Sequence, residues 1–348
     1  MTLTTIPSLL AILFCAALFI LLYQNLFPRQ APWKLVAAAL GAGMVVTLLL
    51  VAAMAYLADG GKEAITSVST LAEALPVAVF RAGLPEEAIK ALAALAAVFL
   101  FRRNLTSAAA FQIPLFVAVG FAIVENNGYS ETFPEYRMII AFGRGFMATF
   151  VHSLLAMVQG VFLMRIVAHR AAAPDALLVP GGPAEAPSGV VVWGRWYFAV
   201  LGLLASATCH SLYDWGFLPV LGEFLRTGTV QPETAVLPML VGICGIILLF
   251  VAGLWSLRIA TRRAAAADPI SHDPAHLALV ATWRKCGTAL MLLGAVGFAG
   301  GIAWLILAGE PAAVAAESPD LGRTLIILCA LLGALLSIII GWVVRQKR

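Results

Sequence analysis

The chain of 348 residues is 62% hydrophobic and only 11% charged, and its mean hydropathy is +0.97. Soluble domains carry about 25% charged and about 45–50% apolar residues, so this composition excludes an ordinary soluble protein. It indicates an integral membrane protein that lies in a lipid bilayer, and we expect no nucleic acid among its partners. The net charge is +4, and the five cysteines form no C-x-x-C pair. The cysteines therefore indicate neither a disulfide framework nor a thiolate zinc site.

About nine apolar runs have close to the length of about 20 residues that a helix needs to cross the hydrocarbon layer. The first run, residues 9–23, is followed by Arg29 and Lys34 instead of a cleavage site, so we expect a retained first helix. The other runs are residues 35–57, 84–101, 107–124, 138–164, 196–221, 236–257, 288–307 and 324–344. The pattern predicts an all-α, polytopic bundle of about nine transmembrane helices.

Basic residues are concentrated in alternate connections between these runs. Lys and Arg follow the first, third, fifth and seventh runs and close the chain, whereas the other connections hold Asp and Glu. The positive-inside rule assigns the connections rich in Lys and Arg to the cytoplasm. We therefore expect the N-terminus outside and the C-terminus in the cytoplasm.

We divide the chain into three parts. Residues 1–83 hold the first two spans and an outer connector. Residues 84–222 form the expected catalytic core, with a cytoplasmic linker at residues 166–195. Residues 223–348 add three C-terminal spans.

Three segments outside the core have a distinct composition. Residues 60–83 contain a mostly apolar stretch, which could be an interfacial helix or a short re-entrant piece leading into the third span. Residues 171–189 are rich in Ala, Pro and Gly and predict a flexible linker. Residues 294–301 are mostly small, which would allow close helix approach and suit a homodimer.

Ionisable residues at the start of the third run need an explanation. Glu86, Glu87 and Lys90 lie there, and Pro85 suits the first position of a helix. Lys90 follows the two glutamates by four and three residues, so it can touch either. A helix start with a local ion pair would explain the motif equally well. Charged groups at membrane depth, however, are tolerated mainly where they pair, face water or do chemistry.

Ionisable residues of three predicted helices lie at a similar depth. Counting 1.5 Å per residue from the flanking arginines puts Glu86 about 24 Å, His152 about 20 Å and His210 about 22 Å from the cytoplasmic end. This level is the outer half of a hydrocarbon layer about 30 Å thick. Asp214 lies one turn after His210 and can orient its ring, and Glu125 returns to the same end as Glu86 through a short turn. Hydrogen bonds that serve only to pack the helices together would explain the same residues at this depth.

Four short motifs lie in order on consecutive predicted helices. They are E-E-x-x-K at residues 86–90, G-F-A-x-x-E-N at 120–126 followed by Tyr129, the span with His152, and H-x-x-Y-D at 210–214. With these motifs the chain resembles the PrsW family of intramembrane proteases, and more distantly the CAAX-processing type II family. The resemblance covers residues 80–217. The wider family often has Asn where this chain has Asp214.

This resemblance implies hydrolysis of a peptide bond inside the membrane, because members of the PrsW family cut anti-sigma factors. We expect a single-pass, anti-sigma-factor-like substrate and a bacterial-type plasma membrane. Glu86 would be the general base on water, helped by Glu87 and His152, and His210 with Asp214 would hold the oxyanion or a metal. The full implied set is Glu86, Glu87, His152, His210 and Asp214, supported by Lys90, Glu125 and Asn126.

The sequence leaves the metal and two other functions open. The H-E-x-x-H signature is absent, yet two His and one Glu make a catalytic zinc set, so Zn²⁺ would use Glu87, His152 and His210. A proton- or cation-coupled transporter would also place ionisable groups in the membrane, with broken helices in paired repeats. A non-catalytic scaffold would use the polar cluster only to specify helix packing.

Overall fold

A computed structural model describes residues 5–25, 27, 31–57, 67–102, 105–132, 137–169, 189–191, 195–227 and 232–267. The described chain contains eight α-helices: α1 Thr5–Gln24, α2 Trp33–Leu57, α3 Leu71–Val77, α4 Leu84–Leu100, α5 Ser107–Thr132, α6 Arg137–Leu163, α7 Tyr197–Thr227 and α8 Pro232–Ala267. The predicted spans at 288–307 and 324–344 and the small-residue segment 294–301 lie outside the described residues.

Each of the first seven predicted spans corresponds to a helix, so the helical membrane fold is confirmed. Five of the described helices, α1, α2, α5, α6 and α8, are long and apolar enough to cross a membrane. The count of nine spans and the orientation of the termini stay predictions. The helix α4 has only 17 residues, and α7 carries a row of polar side chains, so neither meets the same criteria of length and hydropathy. These two helices carry most of the predicted site residues.

The helix α5 is longer than predicted, because it continues to Thr132 instead of ending near residue 124. Two hydroxyls near its end donate to carbonyl groups of their own helix: Ser130 to the Asn127 carbonyl and Thr132 to the Gly128 carbonyl, both at 2.9 Å. Glu125 therefore lies inside a helix and not at a helix end.

The helix α5 is buried among its neighbours. It packs against α1, α2, α4 and α6, and nearly every residue from 107 to 122 is buried. The helices α1, α2 and α8 instead expose large apolar side chains such as Leu10, Leu49 and Trp255. Exposed apolar faces of this kind suit contact with lipid.

A short helical segment within the connector at residues 60–83 leads into α4. Thr70 caps α3 in a capping box with Glu73, and a π-helical turn, Ala78–Gly83, then continues directly into α4. The indole of Trp215 donates to the Leu71 carbonyl at 2.7 Å, which attaches α3 to α7. The start of α4 is thus held against α7.

Beside its helices, the described chain contains one short two-stranded antiparallel ribbon. Strand β1, Val167–His169, pairs with strand β2, Gly189–Val191, and Val167 lies opposite Val191. Valine favours strands because its branched side chain packs well on a pleated surface. Gly189, which we placed in a flexible linker, therefore belongs to a strand, and the rest of that linker lies outside the described residues.

Candidate active site

The first two turns of α4 bring two carboxylates and an ammonium into the bundle. Glu87 and Lys90 are buried, at 1% and 3% exposure. The Lys90 Nζ atom lies 2.5 Å from Glu87 Oε1 and 3.6 Å from Glu86 Oε2. The sequence allowed Lys90 to pair with either glutamate, and in the structure its close partner is Glu87.

The imidazole of His152 on α6 is held at both nitrogens. Its Nδ1 atom lies 3.2 Å from Lys90 Nζ, and its Nε2 atom lies 2.8 Å from Glu125 Oε2. A charged ammonium can only donate, so Nδ1 accepts from Lys90 and the Nε2 N–H donates to Glu125. The ring of Phe121 covers this contact, with Lys90 Nζ 4.2 Å from its centroid. The position of the His152 ring is therefore fixed by groups from α4 and α5.

Glu125 has a second basic partner in Arg144, which also lies on α6. The Arg144 Nη2 atom donates to Glu125 Oε1 at 2.9 Å, and the guanidinium stacks 3.6 Å above the ring of Tyr129. Both oxygens of Glu125 thus face donors. The neighbouring Asn126 is buried and donates to Thr149 Oγ1 at 3.4 Å, so it connects α5 to α6 beside the site.

His210 on α7 lies between carboxylates from two helices. Its Nδ1 atom is 3.0 Å from Glu87 Oε1, and its Nε2 atom is 3.3 Å from Asp214 Oδ2 and 3.9 Å from Glu86 Oε2. The rings of His210 and His152 are 5.8 Å apart, measured between centroids. The structure therefore brings the two histidines, the paired glutamates and Asp214 into one continuous polar cluster.

Comparison with known families identifies the family of this chain. A family model described as PrsW family intramembrane metalloprotease matches residues 31–252, which is more than half of the chain. The chain belongs to the PrsW family. The match extends beyond residues 80–217 at both ends, so it includes α2 and much of α8. No curated protein and no solved structure matches this chain at a significant level.

PrsW proteins are described as metalloproteases, and this chain has donor atoms that fit a metal ion. Glu86, Glu125 and His152 each offer one ligand atom, and the three atoms lie within 4.8 Å of one another. In the described part of the chain, Glu86 Oε2 is buried without a hydrogen-bond partner, so it is available to a ligand.

The formal charges of the cluster also favour a cation. Its four carboxylates outnumber its two basic groups, Lys90 and Arg144. His210 faces a carboxylate at each nitrogen, so it is counted as a third cation. One negative charge then remains, and uncompensated charge is costly in a buried site.

The ligand set proposed from the sequence, Glu87, His152 and His210, remains a prediction. The Glu87 oxygens already face several donors: Oε1 faces Lys90 and His210, and Oε2 accepts from Gln159 Nε2 at 2.8 Å. A metal on Glu87 would have to displace one of these groups, and a metal on His152 or Glu125 would also have to displace a partner of that side chain. Among the described residues, Glu86 Oε2 has no hydrogen-bond partner to displace. The geometry therefore favours Glu86 over Glu87 as a ligand.

Sequence reasoning omitted Arg144 and Gln159 from the site. Both lie on α6 with His152, eight residues before it and seven after it, a spacing that keeps residues on one broad helix face. The signal that could have identified them is that each is a polar residue in an apolar run and lies on the same helix face as the candidate His152.

Proposed function

We propose that this chain is an intramembrane endopeptidase that cuts a membrane protein at the cluster formed by Glu86, His152 and His210. The observation that carries the proposal is the Glu86 carboxylate, which has a buried Oε2 atom without a hydrogen-bond partner among the described residues. Peptide hydrolysis needs a group that takes a proton from water and donors that stabilise the tetrahedral oxyanion. A carboxylate oxygen without a partner, beside two imidazoles, supports such a site.

Glu86 is the general base in this proposal, and Glu87 is not. A base must have an oxygen free to accept the proton of water, and each Glu87 oxygen already accepts from a neighbouring side chain. Glu87 therefore holds Lys90 and His210 in place. Its buried negative charge is compensated by the ammonium of Lys90.

His210 is the proposed donor to the oxyanion and to the leaving amine. Its Nε2 atom lies between Asp214 Oδ2 and Glu86 Oε2, close to the proposed base. An ionised Asp can only accept hydrogen bonds, so Asp214 orients the imidazole and does not itself donate to the oxyanion. This assigns to His210 alone a role that the sequence gave to His210 and Asp214 together.

A metal ion at this site would be held by Glu86, Glu125 and His152. When bound, it would polarise the scissile carbonyl and lower the pKa of a bound water. Because a carboxylate has two oxygens, Glu86 can serve as a ligand with one and accept a proton with the other. Arg144 would keep Glu125 in position through its contact with Oε1.

We further propose a single-pass, anti-sigma-factor-like substrate in a bacterial-type plasma membrane. The position of the cluster inside a helical bundle supports a substrate segment that enters from the lipid. The family to which the chain belongs supports a protease over the transporter and scaffold alternatives.

The test is cleavage of a single-pass reporter in cells that express wild type, Glu86→Gln, His152→Ala or His210→Ala at matched levels. We expect each variant to lose cleavage by at least about 100-fold, the usual scale of acid–base catalysis. Thr208→Ala is a matched control, because Thr208 is exposed on α7 and its hydroxyl only donates to the Leu204 carbonyl. Cleavage that persists in all three folded variants, or no cleavage by the wild type, would refute the proposal.

A further inference from the structure

A buried amide from α6 holds the carboxylate of Glu87. Gln159 is 3% exposed, and its Nε2 atom lies 2.8 Å from Glu87 Oε2 and 3.0 Å from Ser206 Oγ. The same nitrogen is 3.4 Å from the Glu87 carbonyl oxygen. One side chain thus joins α4, α6 and α7 at the position where the site is assembled.

The chemistry of its neighbours determines which end of the Gln159 amide faces them. The Glu87 carboxylate can only accept, and the Ser206 hydroxyl donates its proton to the Leu203 carbonyl at 3.1 Å. Both neighbours therefore need a donor, which only the NH₂ group of the amide supplies. A flipped amide would place its carbonyl oxygen against a carboxylate oxygen, which is repulsive.

The contact with Gln159 determines which groups the other oxygen of Glu87 faces. With Oε2 held by the amide, Oε1 is directed at Lys90 Nζ and His210 Nδ1. Rotation of the carboxylate would leave the amide N–H unpaired in a buried site, which is costly. The orientation of the His210 ring, and hence of its Nε2 atom, therefore depends on Gln159.

We propose that Gln159 is a positioning residue for hydrolysis, which acts through Glu87 on His210. This inference rests on the proposed role of His210. Among the described hydrogen bonds, Gln159 contacts Glu87 and Ser206 and neither Glu86 nor His210. Its effect should be to raise the fraction of molecules in which His210 Nε2 points at the reacting atoms.

The chain offers a matched control in Gln112 on α5. Gln112 is also fully buried, and its Nε2 atom also joins two helices, because it donates to the Tyr23 carbonyl at 2.7 Å. It has no contact with the polar cluster among the described hydrogen bonds. Gln159→Met and Gln112→Met each remove one buried amide and keep a similar side-chain volume, so a purely structural role predicts the same result for both.

The experiment measures kcat and KM for cleavage of a purified single-pass reporter, together with the ¹⁵N signals of the histidines in detergent micelles. The His210 signal is identified by its loss in His210→Gln. We expect Gln159→Met to lower kcat by about 10- to 100-fold, the usual effect of losing a group that orients a catalytic residue, with KM unchanged. The Nδ1 signal of His210 should shift in Gln159→Met and not in Gln112→Met. Equal kcat values and equal His210 signals in the two variants would overturn the inference.

A second variant covers the case in which Gln159→Met does not fold. Ser206→Ala removes one of the acceptors that orient the amide, so the amide should hold Glu87 less tightly and the same His210 signal should shift by a smaller amount. No shift in this folded variant would also overturn the inference. If the wild type cleaves no reporter, the proposed function fails, while the His210 signal still decides whether Gln159 positions the ring through Glu87.

Discussion

Gly83 lies where the start of α4 meets α7, and we predict that Gly83→Ala destabilises the protein. A Cβ atom there would collide with the Ser211 side chain, and it would lie 3.0 Å from the Ser211 amide nitrogen and 3.1 Å from the Ala207 carbonyl oxygen. The hydroxyl can rotate away, but the two backbone atoms can move only with α7. Overpacking of this kind costs about 1–3 kcal/mol.

The helical conformation of Gly83 offsets part of this cost. Its φ of −54° and ψ of −55° suit alanine, and replacing Gly by Ala within a helix gains about 0.5–1 kcal/mol. The net destabilisation is therefore about 1 kcal/mol, which corresponds to about 2–4 °C in Tm for a large domain. Activity should fall further, because Glu86 and Glu87 follow directly and a misplacement of about 1 Å can cost about 100-fold.

Thermal unfolding in detergent and reporter cleavage test this prediction, with Gly41→Ala as the control. Gly41 also lies in a helix, but a Cβ there would meet nothing within 4 Å, so Gly41→Ala should raise the Tm slightly and keep full activity. If Gly83→Ala behaved like Gly41→Ala in both assays, the tight contact between α4 and α7 would be wrong, and so would the placement of Glu87 beside His210.

Three further predictions concern other contacts. Lys90→Met should destabilise the protein by about 3–5 kcal/mol, since it leaves a buried carboxylate uncompensated; adding Glu87→Gln should recover most of this in unfolding experiments, and no recovery would contradict the pairing. Hydrogen bonds from Ser69 lower the pKa of the Glu73 carboxyl in the folded protein. The ionised Glu73 therefore stabilises α3 fully above the unfolded-state pKa of a glutamate, about 4.3. This stabilisation is lost as the pH falls through the lower folded-state pKa. Hydrogen exchange of residues 71–77 in wild type should therefore approach that of Glu73→Gln only in acid. Purified wild type should retain a stoichiometric divalent ion that His152→Ala loses, and equal metal contents would argue against His152 as a ligand.

The helices of this protein were predictable because the length of an apolar run is a local property of the sequence. Each run from residue 9 to residue 257 became a helix, since a backbone in lipid must satisfy its own hydrogen bonds. The ends were less predictable. The helix α5 continues past the apolar run to Thr132, where the hydroxyls of Ser130 and Thr132 donate to carbonyl groups one turn back, and hydropathy does not measure such side-chain contacts.

The grouping of the site residues was predictable because depth can be counted along each helix. Glu86, His152 and His210 were placed at one level by the rise per residue, and in the structure they meet through Lys90 and Glu87. Counting along an axis does not give the rotation of each helix about that axis. The sequence therefore could not select Gln159 as the partner of Glu87.

Glu86 and Glu87 have different environments because the rotation of α4 about its axis directs each side chain to different neighbours. Adjacent helix residues point about 100° apart, and the side chain of Glu87 is 1% exposed whereas that of Glu86 is 15% exposed. Glu87 points at donors from α6 and α7 and accepts hydrogen bonds at both oxygens, while Glu86 keeps an oxygen without a partner. A general base needs an oxygen without a partner, as in Glu86, and a positioning carboxylate needs hydrogen-bond partners, as in Glu87. One turn of helix therefore provides both roles from two glutamates. The paired glutamates can thus be recognised in the sequence, but their separate roles follow only from the side chains that surround each one.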